Sequence, residues 1–128
     1  MFQFNLDTED YINLNIKKYH RSLLAQFRCG ILPIQIEIGR YRNISLCHRL
    51  CPICKQAVED EIHFLCQCPE YSEFRATLYR KANEAYPSFH NLDLFDKFVY
   101  LMSDQQREVI KYLAKAVNKR STLINREN

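Results

Sequence analysis

Four residues in the middle of the chain have the types and the spacing of a metal site. Cys51, Cys54, His63 and Cys68 follow the pattern Cys-x2-Cys-x8-His-x4-Cys. Two residues between the first cysteines allow one tight turn, stiffened by Pro52, to direct both thiolates to a single point. A Cys3His set of soft donors suits tetrahedral zinc. We therefore predict one structural Zn2+ on these four side chains, which would contribute roughly 10 kcal/mol or more to folding.

The remaining cysteines leave the ligand set open in two places. Cys66 could replace Cys68, and Cys47 and His48 could compete with Cys51. Cys29, at the end of a predicted helix, is interpreted as a buried small hydrophobic residue. Because the N-terminus lacks the pattern of a signal peptide, a reducing compartment is expected, and the six cysteines then favour metal over disulfides.

The segment before the cysteines predicts a helix over residues 8–29. Thr8 is the candidate N-cap, and the next two residues are acidic. The apolar positions have helical spacing and comprise Ile16, Tyr19, His20, Leu23, Leu24 and Phe27. Gly30 suits the left-handed position that ends a helix.

An extended connector is predicted over residues 30–50. Ile34, Ile36 and Ile38 alternate with polar residues there, which is the pattern of a short strand. The zinc knuckle follows over residues 51–69, and its acidic triplet at residues 59–61 is interpreted as a solvated turn.

C-terminal helices are predicted over residues 70–122. Pro69 keeps Cys68 out of helical geometry and suits the first position of the helix that follows. Apolar residues at helical spacing mark the inward faces of these helices: Tyr71, Phe74, Leu78, Ala82, Val109, Ile110, Leu113, Ala114 and Val117. The last eight residues are expected to fray. The fold class is therefore mainly α, a small helical domain organised around a Cys-Cys-His-Cys zinc knuckle, with one short β-hairpin or strand left open.

Length and composition agree with one small domain. The chain has 128 residues, 47% of them hydrophobic, and only two glycines. No apolar run approaches the roughly 18 residues that a membrane-spanning helix needs. We expect an intracellular protein, nuclear or cytoplasmic, without a membrane partner.

Two groups of basic residues are candidates for contact with nucleic acid. The first combines basic side chains with an aromatic one near the cysteine turn: Arg28, Arg40, Tyr41, Arg42, Arg49 and Lys55. The second recurs every four residues on the last helix and is extended by Arg120: Arg107, Lys111, Lys115 and Lys119. Arginine can bridge phosphates, and tyrosine can stack on an unpaired base. A net charge of +3 does not by itself indicate nucleic-acid binding, and exposed lysine stripes are commonly only solvated.

Longer stretches around the cluster resemble a known family. The similar stretches are RSLLAQFRCGILPIQIEIGRYRNI, CPIC and VEDEIHFLCQCPEYSEFR. They resemble the C-terminal segment of LINE-type (non-LTR retrotransposon) reverse transcriptases, in which a Cys-Cys-His-Cys zinc-binding domain lies downstream of the polymerase. The similarity runs from about residue 19 to residue 75 and continues more loosely to the end. It assigns the same four zinc ligands as the spacing does.

The resemblance implies an accessory domain that helps a reverse transcriptase to hold its template RNA or target DNA. The chain contains no Tyr/Phe-x-Asp-Asp polymerase motif and nothing similar to the endonucleases of the family, so no enzymatic activity is expected. The expected partners are RNA or DNA, together with the rest of a reverse transcriptase or another protein. The alternative is a protein-protein interaction module in which zinc only stabilises the fold.

Overall fold

The computed structural model describes residues 18–127, which form a mainly α domain as predicted. Its α-helices are α1 (Lys18–Arg28), α2 (Gln35–Tyr41), α3 (Ser72–Ala85), α4 (Leu94–Asp104) and α5 (Gln106–Glu127). Short 3-10 turns cover Leu46–His48, Pro69–Tyr71 and Pro87–Asn91, and a π-helical turn covers His63–Gln67. Residues 18–127 contain no β-strand, only a single antiparallel bridge between Leu50 and Val58. None of the described helices is both long and apolar enough to cross a membrane.

Helix α1 buries part of the face predicted for it. Leu23, Leu24 and Phe27 are in the core, and Gly30 ends the helix with a φ of +73°. Tyr19 is 61% exposed, so its assignment to the buried face is wrong. The side chain of Cys29 is also exposed, not buried as predicted. The predicted first half of this helix, residues 8–17 with Thr8 and Ile16, lies outside the described residues.

The extended connector predicted over residues 30–50 is wrong in its centre, where α2 forms. The two backbone N–H groups that open this helix are bonded by one distant residue: Gln35 N donates to the Glu59 carboxylate (2.7 Å) and Ile36 N to the Glu59 carbonyl (2.9 Å). Because a helix leaves its first N–H groups unsatisfied, these bonds favour helix over strand. Glu37 is buried in α2 and pairs with Arg40 on the next turn.

The C-terminal helices form with the predicted inward faces. Tyr71, Leu78, Ala82, Val109, Ile110 and Leu113 are buried, and Phe74, Ala114 and Val117 are half-buried. Helices α1, α3 and α4 all pack against α5. Helix α5 continues to Glu127, past the predicted limit at residue 122, so the expected fraying of the last residues is wrong through residue 127.

The aromatic side chain of Phe64 lies where these elements meet. Its ring centroid is 5.1 Å from that of Tyr71, 6.2 Å from that of Phe27 and 6.4 Å from that of Tyr112. Such tilted and edge-to-face pairs stabilise a core beyond the burial of their surface. Because Phe64 follows His63 directly, the core fixes one of the predicted ligands.

Candidate metal centre

A tight turn presents Cys51 and Cys54. The N–H of Lys55 donates to the carbonyl of Cys51 (2.9 Å), and the N–H of Cys51 donates to the carbonyl of Ala57 (2.8 Å). Lys55 closes the turn in the left-handed region, with a φ of +59°. The bridge between Leu50 and Val58 holds the two ends of the turn side by side. The two-residue spacing thus produces the turn that the sequence predicts.

The other two ligand candidates lie at the start of the π-helical turn and directly after it. Asp60 caps this turn, because its carboxylate accepts a hydrogen bond from the N–H of His63 (2.7 Å). The N–H of Cys68 then donates to the carbonyl of His63 (2.9 Å), the i to i+5 bond that defines a π turn. Cys68 is extended (φ −61°, ψ 123°) before Pro69, as predicted. The wide turn brings the two side chains to the same place although four residues separate them.

The four predicted side chains form one cluster, in which the ligand atoms all lie within 4.8 Å of one another. Cys51 and Cys68 are fully buried and His63 is 3% exposed. The sulfur atoms of Cys51 and Cys68 are 3.9 Å apart, and Cys54 Sγ is 3.3 Å from His63 Nε2. Zinc with ordinary bond lengths in a tetrahedron gives edges of about 3.8 Å between two sulfurs and about 3.6 Å between sulfur and nitrogen. The cluster can therefore hold a single metal ion.

The alternative ligands are not part of this cluster. Cys66 is buried among apolar side chains, and burial raises the pKa of its thiol to about 11. The thiol of Cys47 is exposed, 3.8 Å from Nδ1 of its neighbour His48. Among the described residues, the two choices left open by the sequence are thus resolved in favour of Cys51 and Cys68.

The pKa values of the two buried thiols, Cys51 and Cys68, are shifted in opposite directions. The Cys68 side chain, followed by His63 and two backbone N–H groups, lowers the pKa of Cys51, although burial opposes this. The contact with Cys51 raises the pKa of Cys68, and burial raises it further. One thiolate therefore forms readily while the second needs a cation in place of the proton, which is what a divalent metal supplies.

Two buried polar atoms in this region, His63 Nδ1 and Tyr71 Oη, have no hydrogen-bond partner among the described residues. Since Nε2 of His63 faces Cys54, a metal would bind Nε2 and leave the proton on Nδ1. Zinc-binding histidines usually donate that proton to an outer partner. Here the Asp60 cap fixes the backbone of His63, and the ring is 3% exposed without such a partner among the described residues.

The acidic triplet at residues 59–61 is not a solvated turn, contrary to the prediction. Glu59 is fully buried and its carboxylate receives two hydrogen bonds from Arg120, at 2.7 and 2.8 Å. The same carboxylate lies 3.9 Å from Cys51 Sγ. Burial raises the pKa of Glu61. The role of Glu59 could not be predicted from the sequence, because its partner is 61 residues away. Asp60 lies three residues before a ligand, which is the position of an N-cap, so its role carries a local signal.

The candidates for nucleic-acid contact around the cysteine turn are mostly exposed. Tyr41 is 78% exposed, and the Arg40 guanidinium lies 5.6 Å from its ring centre while it pairs with Glu37. Arg28, Arg42 and Lys55 are also exposed. Arg49 differs, because its guanidinium donates to the backbone carbonyls of residues 36 and 44. Its observed contacts are therefore those of a residue that supports α2.

The basic residues of the stripe on α5 differ in their exposure to solvent. Arg107, Lys111 and Lys115 are exposed. Lys119 is half-buried and donates to the carbonyl of Glu70 (2.6 Å). Arg120, predicted to extend the solvent-facing stripe, instead has a side chain only 11% exposed and pairs with Glu59. The exposed stripe thus consists of its first three members and part of the fourth.

The structure therefore assigns this region a buried Cys3His cluster inside a mainly helical domain. The resemblance to reverse transcriptases stays a prediction that rests on the quoted stretches alone. Comparison of the chain with protein-family models, with curated proteins and with solved structures finds no match.

Proposed function

We propose that this chain binds one structural zinc ion through Cys51, Cys54, His63 and Cys68 and that the domain so stabilised binds RNA or DNA. The convergence of three sulfurs and one imidazole nitrogen in a buried site supports the zinc. Four protein donors complete a tetrahedral site, so the proposed role of the metal is structural and not catalytic.

Metal analysis tests the first half of the proposal. The purified protein should contain one zinc per chain, and removal by a chelator should lower its melting temperature steeply, because such sites contribute folding free energy directly. Protein without zinc after refolding in its presence, or an unchanged melting temperature after chelation, contradicts the proposal.

The exposed segment Arg40-Tyr41-Arg42 supports the second half. The Arg40 guanidinium lies beside a tyrosine ring that is largely in solvent, and the next residue in the chain is a second exposed arginine. Helix α2, which carries Arg40 and Tyr41, packs on the 3-10 turn that leads into Cys51. Guanidinium groups contact phosphates, and an exposed aromatic ring can stack on an unpaired base. Lys55 in the cysteine turn adds a further exposed cation. Single-stranded RNA or DNA is therefore the proposed ligand.

A binding titration against salt concentration tests this interface. Binding of single-stranded RNA or DNA should weaken steeply with salt, because each phosphate contact releases counterions. Changing Arg40 and Arg42 to Met should weaken binding and reduce the salt slope by about one for each lost contact. The matched control changes Arg80 and Lys81, exposed on α3, to Met and removes the same charge. Equal loss in both double variants contradicts the proposed interface.

The second candidate function is protein-protein interaction, because the same region exposes apolar side chains. Leu46 is 58% exposed and Leu50 is 42% exposed, close to Tyr41 in sequence. If this function is correct, the chain should bind a protein with little salt dependence and should show no salt-sensitive binding to nucleic acid.

A further inference from the structure

The last turns of α5 are attached to the domain differently from its first turns. Five side chains of the first turns are fully buried: Val109, Ile110, Tyr112, Leu113 and Ala116. From residue 118 to residue 126 every side chain is exposed or only half-buried. Lys119 and Arg120 make the polar contacts from this stretch to other elements that the structure defines. These two residues therefore provide the polar attachment of the end of the helix.

Both contacts end on the segment that carries the metal ligands. Arg120 holds the carboxylate of Glu59, which lies in sequence between the second and third ligand. Lys119 donates to the carbonyl of Glu70, two residues after the last ligand, and lies 3.8 Å from the carboxylate of Glu73. The end of α5 is thus attached to the segment that carries the proposed zinc ligands and to the residues directly after it.

Of the two contacts, the one between Glu59 and Arg120 affects the net charge at the metal centre. Three thiolates and a neutral imidazole around a divalent ion leave a net charge of −1. The Glu59 carboxylate adds a second negative charge 3.9 Å from Cys51 Sγ, in a fully buried position. Arg120 neutralises it with two hydrogen bonds. A buried carboxylate without such a partner strongly destabilises its surroundings.

We propose that the Glu59–Arg120 pair couples metal binding to the order of the last turns of α5. Arg120 is a positioning residue for the metal centre although it is not a ligand, and the metal in turn fixes residues 118–126, including the basic Lys119. This inference rests on the proposed zinc binding and extends it to residues outside the donor set.

Three variants of the full chain test the coupling. Arg120→Met leaves the Glu59 carboxylate without its charged partner, with the N–H of Gln35 still donating to it. Glu59→Gln combined with Arg120→Met removes both charges. Arg80→Met is the matched control, because it breaks an arginine–glutamate pair with Glu84 on the exposed face of α3. Two quantities are measured: the apparent zinc affinity, by competition with a chromophoric chelator, and amide hydrogen exchange of the zinc-loaded protein.

The zinc affinity and the amide exchange should respond differently to the double substitution. Arg120→Met should bind zinc about 10 to 100 times more weakly than the control, as expected for loss of an outer partner of a metal site. The double variant should recover zinc affinity to within about threefold, because no unpaired carboxylate remains. Its residues 118–126 should still exchange at least about tenfold faster than in the control, while residues 109–116 stay protected.

Other outcomes overturn the inference. Equal zinc affinity in Arg120→Met and Arg80→Met would show that Arg120 has no electrostatic role at the metal centre. Equal exchange of residues 118–126 in the double variant and the control would show that the pair does not couple the metal to the end of the helix. If Arg120→Met does not fold, the comparison of the double variant with Arg80→Met tests the proposal. Failure of the double variant to fold also overturns it. Absence of zinc from the wild-type chain would instead refute the proposed function itself.

Discussion

The hydroxyl group of Tyr112 donates a hydrogen bond to the carbonyl oxygen of Phe64, 48 residues earlier in the chain. The same hydroxyl accepts a bond from the guanidinium of Arg75 (3.0 Å), which also donates to the carbonyl of Leu65 (2.9 Å). A π turn leaves carbonyl groups without their usual helical partners. Helices α3 and α5 supply these partners directly behind the ligand His63.

Replacement of Tyr112 by Phe should destabilise the zinc-loaded protein by about 1–3 kcal/mol, because a buried carbonyl and a buried guanidinium each lose a partner. Denaturant unfolding measures this difference. Tyr86→Phe is the control, because Tyr86 is 40% exposed. Equal stability of the two variants would show that the hydrogen bonds to Tyr112 contribute nothing.

Cysteine substitutions should separate ligands from bystanders. Cys54→Ala should lose zinc and cooperative unfolding, because the metal site is then incomplete. Cys29→Ala, at an exposed position, should keep both, and Cys66→Ala should keep one zinc per chain because its sulfur is outside the cluster. Zinc content by elemental analysis measures the result, and loss of the metal from Cys66→Ala would contradict the ligand assignment.

Gly39 should not tolerate a side chain. A Cβ atom there would collide with Cγ and Cδ of Arg49, whose guanidinium then could not reach its two carbonyl partners. Gly39→Ala should destabilise the protein by about 1–3 kcal/mol, as overpacking does. The double variant Gly39→Ala with Arg49→Ala should lose less than the sum of the single losses, because the two sites are coupled.

Thermal unfolding of the zinc-loaded variants measures this coupling. Arg42→Ala serves as the control, because Arg42 is exposed and should be within about 0.5 kcal/mol of wild type. Strict additivity of the two losses would show that Gly39 and Arg49 act independently.

Glu61 should make stability depend on pH. Burial raises the pKa of this carboxyl above 4.5, and nearby Asp60 and Glu37 raise it further, although its own backbone N–H opposes the shift. The folded state therefore binds this proton more tightly than the unfolded state. The corresponding stability is present below the unfolded pKa and is lost as the pH rises through the folded pKa.

Glu61→Gln should consequently melt higher than wild type at about pH 8, and the difference should shrink as the pH falls toward about 5. Melting temperatures of zinc-saturated samples across this range measure the trend. Glu84→Gln, on the exposed face of α3, provides the comparison. A difference that stays constant with pH would contradict the raised pKa.

The ligand cluster could be predicted because its determinants are local. A two-residue turn places Cys51 beside Cys54, and Pro69 sets the backbone of Cys68, so the spacing carries most of the geometry. The inward faces of the later helices could be predicted for the same reason, since helical periodicity is a property of neighbouring residues.

The sequence-based predictions are wrong where contacts with residues far away in the chain determine the local structure. The alternation of Ile34, Ile36 and Ile38 favours a strand, but Glu59 supplies the bonds that start a helix there. Glu59 itself looks like a solvent-exposed acid until Arg120 is brought to it from α5. Local sequence contains neither contact, because both depend on the packing of the whole domain.

The π turn also sets a limit on how this site can vary in length. Gln67 is exposed within that turn, so its side chain is free to change. The turn nevertheless needs a residue at this position. Removing one residue would convert the i to i+5 bond into an ordinary helical one and rotate the Cys68 thiolate by about 100° around the axis of the turn. Substitutions at this position should therefore be tolerated in homologues, whereas insertions and deletions between the histidine and the final cysteine should be excluded.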